Sequence, residues 1–372
     1  MMEMTHKQRI LAVARGEMVD KLPFGARIDT WYNFHSAHGT LPDKYKGWSQ
    51  TDIMADQGAG AQKRFFSICK ERFHEMEVVI KKDGDWETRE YITPVGTASI
   101  KLLWSTNEGP WLAYEHEKLF KSAKDYLVVK YILEHTEPYF NDDYTQERAD
   151  MGERGIVMTG TGLWCPPQRI MREIMGYELF YQEMMDNEDQ VAELIDVMAE
   201  LELKKLKIAI DSPLELINLC ANWSDDIHTP VFQRFFTPYF KKANEMIHAA
   251  GKLSMVHTDG EMRRLLRFFP ETDNDVGEAV TPKPQTSLSM TEFKKGYGEK
   301  VAIWGGISSI MFEPNYSNQE FDEHVISLIK EMAPGKGFIV GMADNLPFDG
   351  DINRVGRVVD LIEKYGKLPV WV

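Results

Sequence analysis

Short apolar segments alternate with amphipathic segments over most of the chain. Apolar runs at 155–162, 252–257 and 276–280 predict buried strands. Segments with apolar residues three and four positions apart predict helices, and the longest of these lie within Tyr177–Ile210. Because strands and helices alternate, the pattern predicts a parallel sheet. Strands without polar alternation, repeated this often, favour a closed α/β barrel, the (β/α)₈ TIM barrel, over an open sheet.

One segment departs from this alternation. Between residues 73 and 104, Val78–Ile80, Trp86–Tyr91 and Ala98–Trp104 have the composition of strands, and turn residues separate them. This pattern predicts an inserted antiparallel β-hairpin region. The segment is too short to bury a core of its own, so we expect a single barrel domain over residues 1–372.

The composition is that of a folded cytoplasmic protein, with 43% hydrophobic and 27% charged residues. No apolar run reaches the roughly 18 residues that a membrane span needs, and the first residues do not resemble a secretory signal. Three cysteines, an odd number, argue against a disulfide framework. A net charge of −15 without a basic cluster argues against nucleic acid as a partner.

Catalytic groups of such barrels lie where strands end, so the polar residues that follow each apolar segment are the candidates. They are acidic and aromatic, with histidine among them. In chain order they are Asp29, Trp31, Tyr32, His35, Trp164, Asn222, Trp223, Asp225, Asp226, His228, His257, Asp259, Glu278, Ser308, Asp344 and Asn345.

Three of these residues form a candidate metal site. His257 and Asp259 are two positions apart at a strand end, so their side chains point the same way, and Glu278 lies on the next strand. Imidazole and carboxylate ligands suit Zn²⁺. We therefore predict metal ligation by His257, Asp259 and Glu278, with His257 and Glu278 also as catalytic candidates. The alternatives are a neutral His257 hydrogen-bonded to a carboxylate, and a Glu278 that caps a helix or forms a salt bridge.

The remaining candidates also have two interpretations. Asp225 is predicted to bind substrate and Asp226 to act in catalysis, but either can instead cap the following helix. Asp344 can bind substrate or form a turn with Asn345. The other predicted substrate-binding residues are Trp31, Tyr32, Trp164, Asn222 and Trp223. The aromatic ones, with Trp104, would line an aromatic pocket, although tryptophans also pack in cores.

Five motifs, in this order, resemble those of the uroporphyrinogen decarboxylase superfamily. They are Thr93–Thr97 (TPVGT), Trp223–Asp226 (WSDD), Phe235–Tyr239 (FFTPY), His257–Gly260 (HTDG) and Trp304–Ile307 (WGGI). The resemblance spans roughly residues 5–365. It implies a (β/α)₈ barrel, which the apolar pattern predicts independently, and a homodimer.

The resemblance covers at least two chemistries. Decarboxylases of the family hold substrate carboxylates with arginines after the first strand, where this chain keeps only Arg27. The acidic residues of the predicted mouth would repel a porphyrinogen with eight carboxylates. Thiol-methylating members bind zinc through a His-x-Cys pair and a later cysteine. Here Asp259 stands in place of the first cysteine, and residues 341–343 offer no thiolate.

The resemblance therefore implies the remaining branch, a corrinoid-dependent methyltransferase of the O-demethylase type. Such an enzyme passes a methyl group from a small donor, here a methoxylated aromatic compound, to the Co(I) corrinoid of a partner protein. Co(I) supplies the nucleophile, so the enzyme has to align the methyl group and stabilise the departing oxygen, with zinc as the candidate metal. The alternatives are a decarboxylase of a smaller acid and a non-catalytic binder.

Overall fold

A computed structural model describes residues 3–65, 67–104, 113–159, 163–219 and 222–370. Within these ranges, eight parallel strands form one sheet in the order β4-β5-β6-β7-β8-β1-β2-β3. Their bounds are β1 Phe24–Ala26, β2 Gly60–Phe65, β3 Gly155–Thr159, β4 Leu216–Leu219, β5 Leu253–His257, β6 Val276–Val280, β7 Ala302–Ile307 and β8 Phe338–Met342. The predicted α/β barrel is confirmed.

Side chains complete the ring between β3 and β4. Oγ1 of Thr159 donates to the carbonyl of Asn218 (3.0 Å) and accepts from its backbone N–H (3.1 Å). The amide of Asn218 donates back to the carbonyl of Thr159 (3.1 Å). Both residues are fully buried. These three bonds satisfy backbone groups at the junction that would otherwise be buried without partners.

An apolar layer fills the barrel below the strand ends. Trp304 of β7 belongs to it, together with Met255, Ile339 and the N-terminal helix His6–Ala14. A Cβ atom at Gly25 would lie 2.3 Å from Cζ2 of Trp304, and one at Gly341 would lie 2.7 Å from Cδ1. Both glycines are therefore required by the close approach of the indole ring.

Helices surround the barrel. The α-helices after the first are Asp29–His38, Gln50–Asp56, Tyr126–Glu134, Asp143–Met151, Pro166–Arg169, Tyr177–Asp186, Glu188–Asp211, Asp225–His228, Thr237–Ala249, Met290–Tyr297, Asn318–Glu331 and Asn353–Tyr365. The 3₁₀ segments are Asp43–Tyr45, Ala123–Asp125, Leu266–Thr272 and Ser309–Phe312, and the π-helical segments are Ile170–Met175 and Phe232–Phe236. None of the described helices has the length and apolar character to cross a bilayer.

Two details differ from the sequence prediction. The polar and aromatic composition of residues 29–35 predicts a loop after β1, but the structure has the helix Asp29–His38 there. This helix begins with an acidic residue and ends at Gly39 in the left-handed region (φ 66°). Both features favour helix ends. Strand β2 was not predicted, because Gln62, Lys63 and Arg64 give it a polar sequence.

The inserted antiparallel region is larger than predicted. A four-stranded sheet contains Glu77–Asp83, Trp86–Thr93, Gly96–Trp104 and Ala113–Glu117. Cys69–Phe73 pairs separately with Thr136–Phe140. Cys69 and Cys165 are free and buried, whereas Cys220 lies outside the described residues.

Candidate functional site

Charged side chains from five strands meet at the carboxyl end of the barrel. His257 ends β5, Glu278 lies in β6 and Arg64 lies near the end of β2. Arg27 directly follows β1, and Asp344 follows β8. Together with Asp29 and Asp259 they form what we call the rim cluster: Arg27, Asp29, Arg64, His257, Asp259, Glu278 and Asp344.

His257 is oriented through its Nδ1 atom. Nδ1 lies 2.6 Å from Oε2 of Glu278 and 2.6 Å from Nη2 of Arg64. The guanidinium only donates hydrogen bonds and an ionised carboxylate only accepts them, so Nδ1 cannot serve both. The carboxylate favours a proton on Nδ1, and Arg64 donates to the same Oε2 of Glu278 (2.9 Å). In neutral His257 the lone pair is then on Nε2.

Two carboxylates lie near that second nitrogen. Nε2 of His257 is 3.4 Å from Oδ2 of Asp259 and 3.6 Å from Oδ1 of Asp344. One ligand atom from each of the three residues fits within 4.8 Å of the other two. Arg27 connects this group to a further acid, because it donates to Asp344 (2.5 Å) and to Asp29 (2.7 Å).

The rim cluster has more negative than positive charge. With His257 neutral, four carboxylates face two guanidinium groups, which leaves a net charge of −2. Burial and Arg64 lower the pKa of His257, but Glu278 and Asp259 outweigh them and the pKa lies above its usual value. Burial raises the pKa of Asp259, but the hydrogen bond and the charge of His257 in its protonated form outweigh it, and the pKa is lowered.

One divalent cation would cancel this deficit. The three converging atoms are one imidazole nitrogen and two carboxylate oxygens, a donor set that suits Zn²⁺. Glu278 at Nδ1 supplies the outer carboxylate that metal-bound histidines usually have. The residues therefore fit a metal ion by donor chemistry and by charge.

The backbone around Glu278 has an unusual conformation. Ala279 has a φ of 59°, and the pairing of β6 with β7 shifts between Glu278 and Val280. Thr258 donates to the Glu278 carbonyl through its N–H (2.8 Å) and its Oγ1 (3.1 Å). The Tyr297 hydroxyl in turn lies 2.8 Å from that Oγ1. This β-bulge and its three contacts fix where Glu278 enters the site.

The structure brings together five of the residues predicted from the sequence: Asp29, His257, Asp259, Glu278 and Asp344. The metal prediction combined Glu278 with His257 and Asp259. In the structure, Asp344 provides the third converging oxygen, and Glu278 lies on the other side of the imidazole ring.

Asp225 and Asp226 are engaged with a neighbouring loop instead. The buried carboxylate of Asp225 accepts from the N–H groups of Arg264 (2.7 Å) and Leu265 (3.1 Å). The Asp226 side chain is 86% exposed and pairs with the Arg264 guanidinium (3.1 Å). These contacts give Asp225 a structural role, close to the capping alternative.

The predicted pocket residues are packed within the protein. Trp31, Trp164 and Trp223 are buried. Trp223 lies edge-on to Phe232 and Phe240, and the backbone N–H of Trp164 donates to Glu202. These surroundings correspond to the core-packing alternative. Tyr32 donates to the Trp48 carbonyl (2.9 Å), and the carbonyl of Asn222 accepts from Gln168 (3.4 Å).

Sequence reasoning missed Gln62 and Arg64. Both lie on β2, two positions apart and therefore on one face, and both donate to Glu278. One sequence feature could have indicated their role: two long hydrogen-bond donors stand two positions apart after a glycine-containing turn. It was obscured because the strand as a whole is polar.

Comparisons with known proteins agree with this fold. The sequence model of the uroporphyrinogen decarboxylase (URO-D) family matches residues 158–365. A methyltransferase from Methanosarcina mazei has the same fold, with a TM-score of 0.61 and 13% identity over 98% of this chain and 99% of that one. A B12-independent methionine synthase from Shewanella sp. W3-18-1 has a TM-score of only 0.44 at 10% identity, over 92% of this chain and 98% of that one. No curated protein matches the sequence.

Proposed function

The chain belongs to the uroporphyrinogen decarboxylase (URO-D) family, and from that premise we propose that it is a corrinoid-dependent methyltransferase with a Zn²⁺ site. His257, Asp259 and Asp344 would hold the ion. The observation that carries the proposal is the convergence of these three ligand atoms in a cluster with a charge deficit of two.

The proposed reaction moves a methyl group from an ether oxygen to cobalt. The C–O bond of the donor breaks, a Co–C bond forms, and Co(I) of a partner corrinoid protein becomes methyl-Co(III). The departing oxygen leaves with the bond electrons and takes up a proton, so the products are an alcohol or phenol and the methylated corrinoid. Because cobalt is the nucleophile, the chain does not need one of its own.

The two cysteines in the described residues support a reaction in which the chain supplies no nucleophile. Burial raises the pKa of the Cys69 thiol to about 12, and burial also raises the pKa of Cys165 well above its usual value. Both thiols are therefore protonated near neutral pH, and a thiol is a poor nucleophile compared with a thiolate.

A bound zinc ion would supply Lewis acidity to the departing oxygen, a contribution of several kcal/mol in metalloenzymes. The side chains of this chain prepare the site for it. Glu278 holds the imidazole of His257, and Arg27 keeps Asp344 directed to the barrel mouth. Buried charges held in this way need little reorganisation during the reaction.

We propose a methoxylated aromatic compound as the donor. Tyr32 and Phe34 lie half-buried on the helix that follows β1, and Phe34 contacts Phe348 of the segment that follows β8 (ring centroids 5.1 Å apart). These segments directly follow Arg27 and Asp344. Aromatic side chains beside the rim cluster suit a flat donor, and the acidic rim disfavours a donor with several carboxylates.

The test combines metal analysis with a corrinoid assay. We expect about one zinc per chain, and zinc-dependent conversion of cob(I)alamin to methylcobalamin, followed by absorbance, with a panel of methoxyphenols. Folded, zinc-loaded protein that methylates cobalamin with none of them would overturn the proposal. Release of CO₂ from a small carboxylic acid without corrinoid would instead support the decarboxylase alternative.

A further inference from the structure

We propose that Gln62 and Arg64 are positioning residues that prepare His257 for metal binding by fixing Glu278. The inference rests on the proposed function, because it takes His257, Asp259 and Asp344 as the metal ligands. It concerns residues of β2, which lie outside that ligand set.

Both oxygens of Glu278 are already occupied. Oε1 accepts from Nε2 of Gln62 (2.5 Å), and Oε2 accepts from Nη2 of Arg64 (2.9 Å) and from Nδ1 of His257 (2.6 Å). The Glu278 side chain is 1% exposed, so water does not compete for these positions. A carboxylate that is hydrogen-bonded at both oxygens keeps one orientation, so Glu278 stays in place to accept from Nδ1 of His257.

That orientation selects one tautomer of His257. Glu278 lies 2.6 Å from Nδ1, whereas Asp259 and Asp344 lie 3.4 and 3.6 Å from Nε2. The closer carboxylate favours the Nδ1–H form and leaves the lone pair on Nε2. If Glu278 could rotate away, Nδ1 would accept from Arg64, and the proton would move to Nε2 and block metal binding. Gln62 prevents that rotation because it holds the oxygen on the far side.

A single strand supplies both donors. Gln62 and Arg64 are two positions apart on β2 and so point to the same side, into the barrel. The Gln62 amide lies 3.7 Å from Sδ of Met158, on the apolar layer below the rim cluster. Lys63, between them, points to the other side and pairs with Glu147. It is therefore a matched control on the same strand.

The first measurement is the dissociation constant for Zn²⁺ alone, by competition with a chromogenic chelator, for the whole protein and its variants. We expect Gln62→Met and Arg64→Met to weaken zinc binding about 10- to 100-fold, the usual effect of losing an outer-shell partner. Arg64→Lys keeps one donor and should give an intermediate affinity. Lys63→Met should bind zinc as the wild type does.

The second measurement reads the tautomer without metal. Nitrogen-15 shifts of His257, assigned with a His257→Asn variant at a pH where the imidazole is neutral, should report Nδ1–H in the wild type. We expect a mixture with Nε2–H in Gln62→Met, where Glu278 can turn and Arg64 can donate to Nδ1. Arg64→Met lacks that competing donor and should keep the Nδ1–H form. Thermal unfolding verifies that each variant is folded. If Arg64→Met does not fold, Arg64→Lys and Gln62→Met carry the test.

Two outcomes would overturn the inference. One is wild-type zinc affinity in the folded Gln62→Met and Arg64 variants, together with a wild-type tautomer in Gln62→Met. The other is an equal loss in Lys63→Met, which would indicate a general effect of strand β2. Failure of the wild-type protein to bind zinc would overturn the metal centre of the proposed function instead, because the tautomer comparison does not use metal.

Discussion

Nδ1 of His257 lies 2.6 Å from Oε2 of Glu278, and the two residues are paired in register on adjacent parallel strands. The contact therefore follows from the register of β5 and β6. A slip of one residue would turn either side chain to the outside of the barrel. The bulge at Ala279 immediately follows this pair and ends the regular register, so the strand pairing and the chemistry of the site are determined together.

Asp344→Asn should abolish most of the proposed activity. The substitution removes one of the two carboxylates near Nε2 of His257. It also leaves the positive charge of Arg27 less neutralised by neighbouring carboxylates. We expect zinc affinity and methyl transfer each to fall by at least about 100-fold, since outer-shell changes alone cost 10- to 100-fold. Chelator competition and the cobalamin assay measure both.

Asp226→Asn is the matched control for that substitution. It makes the same chemical change on a carboxylate that is 86% exposed. Its zinc affinity and activity should equal those of the wild type. Equal losses in the two variants would mean that the acidic residues act through their overall field, and would restore Asp226 as a catalytic candidate.

Asp225→Ala should destabilise the fold without changing zinc affinity. Its buried carboxylate satisfies the N–H groups of Arg264 and Leu265, and removing it leaves two donors without their acceptor. We expect a loss of about 1–3 kcal/mol in the free energy of unfolding, measured with urea. Asp225→Asn retains one acceptor and should lose less. Weaker zinc binding in folded Asp225→Ala would instead place Asp225 in the site.

The apolar pattern was enough to predict most of the barrel but not all of its strands. Strands β5 and β6 are mostly apolar, and their segments, 252–257 and 276–280, were predicted within one residue. Strand β2 was not predicted because its inward side chains are polar. Gln62 and Arg64 donate to Glu278 in the rim cluster and do not form apolar packing. A strand whose inward side chains are polar thus lacks the signal by which buried strands are found.

The site could be predicted only where its residues are close in sequence. His257 and Asp259 stand two positions apart, so their common direction follows from strand geometry. The approach of Asp344 to His257 depends on how β6, β7 and β8 bridge the two segments around the ring. From the sequence alone a turn at Asp344 remained an equal alternative, because a local pattern carries no information on that distance.

Gly25→Ala should destabilise the barrel through Trp304. The new methyl group would lie 2.3 Å from Cζ2 of the indole, so the ring or β1 has to move. We expect a cost of about 1–3 kcal/mol, typical of overpacking. Trp304→Phe replaces the indole with a smaller ring and so gives the new methyl group room. The unfolding free energy lost on Trp304→Phe should therefore be smaller in the Gly25→Ala background than in the wild type. Additive effects within about 0.5 kcal/mol, measured by urea unfolding, would contradict the proposed contact.

His228 should make the fold sensitive to acid. The residue is fully buried; its Nδ1 accepts from the N–H of Ser224 (2.8 Å), and its Nε2 donates to Oε1 of Gln168. Nδ1 can accept from Ser224 only while the ring is neutral, and burial lowers the pKa of His228 from 6.5 to about 4. Between these values the unfolded chain binds a proton that the folded protein does not, so the free energy of unfolding decreases as the pH falls from 6.5 to 4.

The difference of about 2.5 pKa units corresponds to a loss of about 3 kcal/mol over that interval, with no further loss from this residue at lower pH. In His228→Asn the titrating group is absent, while an amide oxygen can still accept from Ser224. Urea unfolding at pH 7, 6, 5 and 4 should therefore show the stability advantage of the wild type over the variant shrinking by about 3 kcal/mol. All other titrating groups are common to both proteins and cancel in the comparison. An advantage that stays constant with pH would show that His228 is protonated in the folded protein, which contradicts its buried, neutral hydrogen bonds.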